Sequence, residues 1–200
     1  MRIVLPSVER LSFTPRPLQL IELAGRTCYR SKSDLTEETA IKFVRMIMKR
    51  GHESVLEHAS ATYRIVCGRG VSHELVRHRI ASYSQMSTRY CDLNGEDIEF
   101  IEPFPMKPVN RCLWINACED AERHYKELRD SGETPQIARS VLPICVKTEI
   151  VVTTNFREWR HIFSLRCARA AHPAIRYLMT EIYKEFKRDW PVIVEDLSFE

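Results

Sequence analysis

No stretch of this chain approaches the roughly 18 uninterrupted apolar residues that a membrane-crossing helix needs. The opening "MRIVLPSVERLSFTPRP" interrupts its apolar run at Pro6 and carries Glu9 and Arg10 soon after. Neither a helical membrane span nor a secretory leader is expected from that pattern, and a cytoplasmic protein is. Glycine is scarce, six in 200 residues, and none of the six belongs to a G-x-G-x-x-G turn, a Walker loop or a G-x-S-x-G elbow. The common dinucleotide, nucleotide and hydrolase frameworks are thereby excluded, so any cofactor is held by another design. Seven cysteines form an odd set without a C-x-x-C pair, which fits neither a disulfide framework nor a zinc ribbon. Most of them are expected to be small buried hydrophobes. Repeats, low-complexity tracts and linkers are missing as well. With 44% apolar residues, residues 1–200 are expected to form one domain.

Lysine is absent from residues 60–90, although this segment holds Arg64, Arg69, Arg77, Arg79 and Arg89 against the single acid Glu74. A merely solvated surface uses lysine at least as freely, whereas the planar guanidinium fork grips phosphate or carboxylate with paired hydrogen bonds. The net charge of +3 is too small to indicate nucleic acid by itself, and the clustering favours recognition of a defined anion. A nucleic-acid module is the rival reading, with Tyr83 and Tyr90 as stacking groups.

Short runs rich in β-branched or aromatic residues read as strands: "IVL" near the start, "SATYRIVC" (60–67), "DIEFIEPF" (97–104) and "VKTEIVVTT" (146–154). A helix opens at the N-cap Thr36, carries Glu37 and Glu38 in its first turn and Ile41, Val44 and Ile47 along its length, and stops at Gly51. A second long helix ends at Gly132, a short one in "PQIARSVLP" ends by Pro143, and a last one follows Pro173 with Ile175, Leu178, Met179, Ile182 and Phe186 as its apolar stripe. The class is α+β.

Three stretches carry candidate chemistry. "SHELVRHR" reads as a short helix with Arg77, His78 and Arg79 in its last turn, where the helix dipole favours cations; at about 100° per residue the two arginines diverge by about 200°. Capping and surface pairing would explain such a run alone. Ser82, Ser84, Gln85, Ser87 and Arg89 then add hydroxyl, amide and guanidinium groups on what reads as a loop, which favours two anionic ligands. In "NFREWRHIFSLR", Asn155 caps a helix that places Arg157, His161 and Ser164 on one face; a wet basic face is the plain alternative. In "HESVLEHA", His52 and His58 stand six apart, a poor match to the i, i+4 spacing of a helical zinc site, so no metal is expected. Ser87 has no positioned base, and Cys145 in "VLPICV" reads as a buried thiol, so neither is taken as a nucleophile.

Arg77-His78-Arg79, seven residues and then Ser87, together with the His52–His58 block, "ARSVLP" with Arg139, "NFREWRHIFSLR" and "AHPAIR", resemble the flavin-dependent thymidylate synthases over roughly residues 36–180. The resemblance implies a central, mostly antiparallel sheet wrapped by helices and a homotetramer with sites shared between subunits. It implies bound FAD, reduced by NADPH, which serves to move a methylene from methylenetetrahydrofolate to carbon 5 of dUMP and reduce it, yielding dTMP. Ser54, Arg77, His78, Arg79, Gln85, Asn155, Arg157 and His161 would then contact FAD. Glu74, Arg77, Gln85, Ser87, Arg89, Arg139 and Arg166 would hold dUMP, with Arg166 as the catalytic group that polarises or ionises the uracil at N3. Some family members have Asn-Glu where Ser84 and Gln85 stand, and some have Asn in place of His161.

Overall fold

Strict alternation builds the two longest strands. In Ser60–Gly68 the side chains of Ala61, Tyr63, Ile65 and Cys67 are buried, and in Lys147–Asn155 those of Thr148, Ile150, Val152 and Thr154, as a two-residue period with one buried face requires. The computed structural model describes residues 1–199. Its strands are β1 (Arg2–Val4), β2 (Ser7–Phe13), β3 (Ser60–Gly68), β4 (Ala81–Gln85), β5 (Glu99–Ile101) and β6 (Lys147–Asn155). Its helices are α1 (Pro17–Thr27), α2 (Glu37–Lys49), α3 (Arg69–Leu75), α4 (Arg111–Asp130), α5 (Pro135–Ala138), α6 (Phe156–Arg166), α7 (Pro173–Asp189) and α8 (Pro191–Val194).

One sheet has the order β2-β3-β6-β4, and β1 pairs with β5 in parallel, Arg2 opposite Glu99. The four-stranded sheet is antiparallel. Thr14 N–H donates to Ser60 O at 3.0 Å, Phe156 N–H to Ala59 O at 2.8 Å, Arg69 N–H to Val146 O at 3.2 Å and Met86 N–H to Glu149 O at 2.9 Å. Each bond joins the end of one strand to the start of its neighbour. This is the α+β class and antiparallel sheet expected.

The chain divides into two compact units: Met1–Ser7, Ile65–Arg77 and Ser84–Ile150 form the first, and Val8–Arg64, His78–Tyr83 and the chain from Val151 onward the second. In the first, Ile98, Phe100, Cys118, Tyr125, Ala138 and Val146 make the core, with Trp114 and Leu128 packed against it. In the second, Tyr63, Phe156, Trp159, Phe163 and Phe186 are fully buried, and their rings meet at centroid distances of 5.1–6.0 Å. Burying each such side chain contributes about 1.5–3 kcal/mol, which makes this aromatic cluster the anchor for α6, the helix that carries most of the second unit's candidate site.

Several elements differ from the sequence reading. β2 and α1 had not been anticipated; α1 starts on Pro17 after Arg16 in the left-handed region (φ 48°). The "DIEFIEPF" strand shrinks to three residues. α3 ends at Leu75, so Arg77-His78-Arg79 follows the helix instead of closing it, and the 200° divergence expected from helical geometry has no basis. Residues 81–85, read as loop, form strand β4 at the sheet edge, where Tyr83 and Gln85 turn inward and Ser82 and Ser84 are exposed. Its serines carry little β signal, and an edge position tolerates that. Only Cys67, Cys118 and Cys167 are buried; Cys28, Cys91 and Cys112 are exposed, and Cys145 is half-buried with its Sγ 3.8 Å from that of Cys118.

Candidate functional site

In the second unit the site is built on α6. Asn155 caps it, its Oδ1 accepting the Glu158 N–H at 2.8 Å, and the helical period then turns Arg157, His161 and Ser164 outward while Trp159, Ile162 and Phe163 enter the core. The outward face lines a cavity of about 510 Å³ together with Glu53, Glu57, Ile80 and Glu158. That size lies within the range of small-molecule sites, about 300–1,000 Å³. Arg157 donates to Glu57 at 2.6 Å, and this bond raises its pKa. Arg160 is only 7% exposed and is held in structure, forked onto Asp196 at 2.7 Å by both Nη atoms and bonded to the Ile193 carbonyl, while its buried Nε has no hydrogen-bond partner among the described residues.

His78 lies behind this face, 5% exposed. Its Nε2 accepts the Nε–H of Arg166 at 3.0 Å, its Nδ1 lies 3.4 Å from Glu158 Oε1, and its ring meets His161 edge-on at 5.7 Å. Tyr83 donates its hydroxyl to the His78 carbonyl at 2.8 Å. Burial first, then the charge of Arg166, then His161 push the His78 pKa down to about 4, while burial raises that of Glu158 against the opposing pull of His161 and Arg157. The imidazole is therefore neutral near pH 7, and the 3.4 Å approach of its Nδ1 to Glu158 is a polar contact rather than an ion pair. Ser54 sits on a turn of 3-10 helix, Glu53–His58, and lines a different cavity of about 590 Å³ between α1 and α2, with Arg26, Phe43, Arg50 and His52. Arg79 is exposed.

The remaining candidates belong to the first unit. Gln85 donates its amide to Ser72 Oγ at 2.9 Å and to Thr148 Oγ1 at 3.2 Å, which pins its side chain between α3 and β6. Ser87 opens a turn: its carbonyl accepts from Tyr90 N at 3.2 Å and Cys91 N at 2.9 Å, and its hydroxyl from Arg89 N at 3.3 Å. Arg89 donates to Gln136 at 3.1 Å and covers the Tyr90 ring at 5.2 Å. Arg139 reaches Thr88 Oγ1 at 3.4 Å, Arg77 is exposed, and Glu74 is half-buried on α3.

Sequence reasoning missed Arg69 as a site residue. It touches the Met86 carbonyl at 3.4 Å, and burial together with the nearby Arg139 lowers its pKa. Two guanidinium groups close enough to repel, each with one long hydrogen bond of 3.4 Å, could hold an anion between them. The missing lysines of residues 60–90 were the available signal. Glu158 and Arg160 were also missed, since nothing in the local pattern marks a charged helix residue as buried.

Among the described residues, His78, Glu158 and His161 form a group whose ligating atoms lie within 4.8 Å of one another; His52 and His58 are not in it. No helix of the described residues is long and apolar enough to cross a membrane.

Two cationic donor clusters on an α+β scaffold are suited to anionic small molecules, and comparison with known proteins narrows the class. A family model described as "Thymidylate synthase complementing protein" matches residues 10–192. The flavin-dependent thymidylate synthase of Geobacter sulfurreducens is 39% identical over 198 residues, covering 93% of this chain and 84% of that protein. That of Pyrococcus furiosus is 38% identical over 194 residues, covering 91% and 80%. A solved structure of the UMP/dUMP methylase PolB from Streptomyces cacaoi, bound with 5-Br dUMP, superposes with a TM-score of 0.83 at 24% identity, covering 98% of this chain and 96% of that one; at that identity it speaks for the fold. The chain belongs to the flavin-dependent thymidylate synthase family.

Proposed function

We propose that this protein is an enzyme that converts dUMP to dTMP in the cytoplasm, with methylenetetrahydrofolate as carbon donor and FAD, reduced by NADPH, as hydride source. One observation carries the reading beyond the family match: the sequence supplies two separate sets of cationic donors, one on α6 and one around Arg69, Ser87, Arg89 and Arg139, as two nucleotide ligands require.

The α6 set fits a flavin dinucleotide. Arg157 is 51% exposed, so exchanging Glu57 for a ligand phosphate costs little. Asn155 and His161 offer polar groups along the same cavity, and Glu53 and Glu57 offer acceptors for ribose hydroxyls. Ser54, Arg77, His78, Arg79 and Gln85 complete the assignment. When bound, the flavin supplies the hydride chemistry. The Arg69–Arg139 set takes the phosphate of dUMP, with Ser87 and Arg89 as further donors and Glu74, Arg77 and Gln85 as the other contacts. Arg166 places a fixed positive charge on the pyrimidine, where it stabilises the negative charge that develops as carbon 5 becomes nucleophilic.

The enzyme is further read as a homotetramer with sites completed across subunits. Ile80, Tyr90, Leu113 and Ile144 are 68–78% exposed, which leaves apolar side chains available for burial in such an assembly. The test is the visible spectrum of purified protein incubated with FAD. A yellow flavin that NADPH bleaches, faster with dUMP present, supports the reading; failure to retain any flavin after FAD is added rejects it.

A further inference from the structure

We propose that Glu158 is a positioning residue that acts through His78 on Arg166, holding the guanidinium in the orientation its work on the pyrimidine requires. The inference rests on the assignment of Arg166 to the pyrimidine made above.

The argument starts from proton placement. Arginine is a donor only, so the 3.0 Å contact from Arg166 Nε requires a lone pair on His78 Nε2. A neutral imidazole has one proton to place, which must then be on Nδ1. At 5% exposure His78 has almost no water to accept that proton, and an N–H without an acceptor is costly in a buried site. Glu158 Oε1, 3.4 Å away, is the acceptor the structure provides. Glu158 is 7% exposed, and the cap bond from its backbone N–H to Asn155 at 2.8 Å fixes its place in the first turn of α6.

Glu158 and Arg166 lie on the same helix, eight residues apart, or about 12 Å along its axis. The imidazole bridges between their side chains, so a carboxylate in the first turn of α6 sets the direction of a guanidinium at its end. A divalent cation among His78, Glu158 and His161 is the competing use of these groups. It would displace the Nδ1 proton; the proton would move to Nε2 and break the bond to Arg166, and the nearby charges of Arg157 and Arg166 oppose a cation there. The hydrogen-bonded chain is the arrangement these three side chains and Arg166 satisfy together.

The test compares Glu158→Leu, which removes the acceptor, with Glu158→Gln, whose amide oxygen still accepts from Nδ1–H; Glu158→Met replaces the leucine form should it not fold. Long-range proton–nitrogen spectra of flavin-loaded enzyme labelled at histidine report the His78 tautomer. Wild type and Glu158→Gln are expected to show the Nδ1–H form alone, and Glu158→Leu a mixture or an exchange-broadened ring. In turnover, Glu158→Leu is expected to lower kcat by about tenfold or more with KM for dUMP little changed, Glu158→Gln to stay within about threefold, and Glu158→Leu to cost less than about twofold in an Arg166→Lys background. An unchanged His78 tautomer in the leucine form, equal losses in the glutamine and leucine forms, or fully additive losses with Arg166→Lys would each overturn the proposal. Zinc bound tightly by the wild type, with loss of the Arg166 coupling, would overturn it too. Normal dTMP formation by Arg166→Ala would instead reject the role given to Arg166, whatever the tautomer does.

Discussion

Replacing Arg139 by methionine should move ligand binding and intrinsic stability in opposite directions. In the free protein the Arg139 guanidinium is exposed, makes one long bond of 3.4 Å to Thr88, and repels Arg69. Losing it removes about one marginal hydrogen bond and relieves a solvent-screened repulsion, each worth a few tenths of a kcal/mol at such a surface. The thermal midpoint of the free enzyme should therefore stay within about 2 °C of wild type, or rise slightly. With a phosphate between the two arginines the balance reverses. A charge-assisted hydrogen bond to an anion contributes about 1.5–3 kcal/mol, so dUMP should bind about 10–150-fold more weakly to Arg139→Met. Isothermal calorimetry gives the affinity, and scanning calorimetry without and with dUMP gives the midpoint and its ligand-induced shift. Because arginine stays protonated at working pH, the effect should show as a reduced salt dependence of binding rather than as a pH dependence. Unchanged dUMP affinity, or a free enzyme destabilised by more than about 1 kcal/mol, would refute the claim that Arg69 and Arg139 are held apart from acids in order to receive an anion.

Other outcomes follow from the same geometry. Trp159→Ala should destabilise the second unit by about 3–5 kcal/mol in urea unfolding, because the ring is fully buried and its Nε1 bonds the Ala61 carbonyl at 3.2 Å; a loss below about 1 kcal/mol would show that the aromatic cluster does not anchor α6. Arg157→Ala should weaken flavin retention while leaving the thermal midpoint nearly unchanged, since its ion pair with Glu57 is exposed; ultrafiltration of flavin-loaded enzyme measures the first and calorimetry the second. The depressed His78 pKa predicts a stability that is complete above the unfolded value near pH 6.5 and falls as pH drops from 6.5 toward about 4, because the unfolded imidazole takes up the proton first; His78→Asn should flatten that part of the stability–pH curve, and an unaltered slope would place the titration elsewhere. Asp189, held down to about 2 chiefly by Arg188, with Arg10 adding to it, contributes a separate loss between about pH 4 and pH 2 that Asp189→Asn should remove.

Much of the secondary structure could be read from local pattern. The alternation in "SATYRIVC" and "VKTEIVVTT", the Thr36 cap accepting from Thr39 N, the left-handed Gly51 and Gly132, and the stripe from Ile175 to Phe186 all appear where expected. These features depend on contacts within a few residues, so a linear string records them. The arginine-rich, lysine-free segment and the Arg77-His78-Arg79 to Ser87 spacing likewise carried the class of ligand and the family resemblance.

The tertiary structure decided the rest, for reasons of long-range competition. β4 is a strand because β6 offers its open edge to a serine-rich segment that would not form one alone. His78 is neutral because folding buries it beside Arg166, 88 positions further along the chain, and brings Glu158, 80 positions further along, to 3.4 Å from its Nδ1. Arg69 meets a second guanidinium only because folding brings Arg139 to it, 70 positions away. Charge type and helical or strand period are properties of neighbouring residues and survive in the sequence; burial, proton placement and the meeting of distant cations are set by which surfaces exclude water from one another, and these exist only in the folded chain.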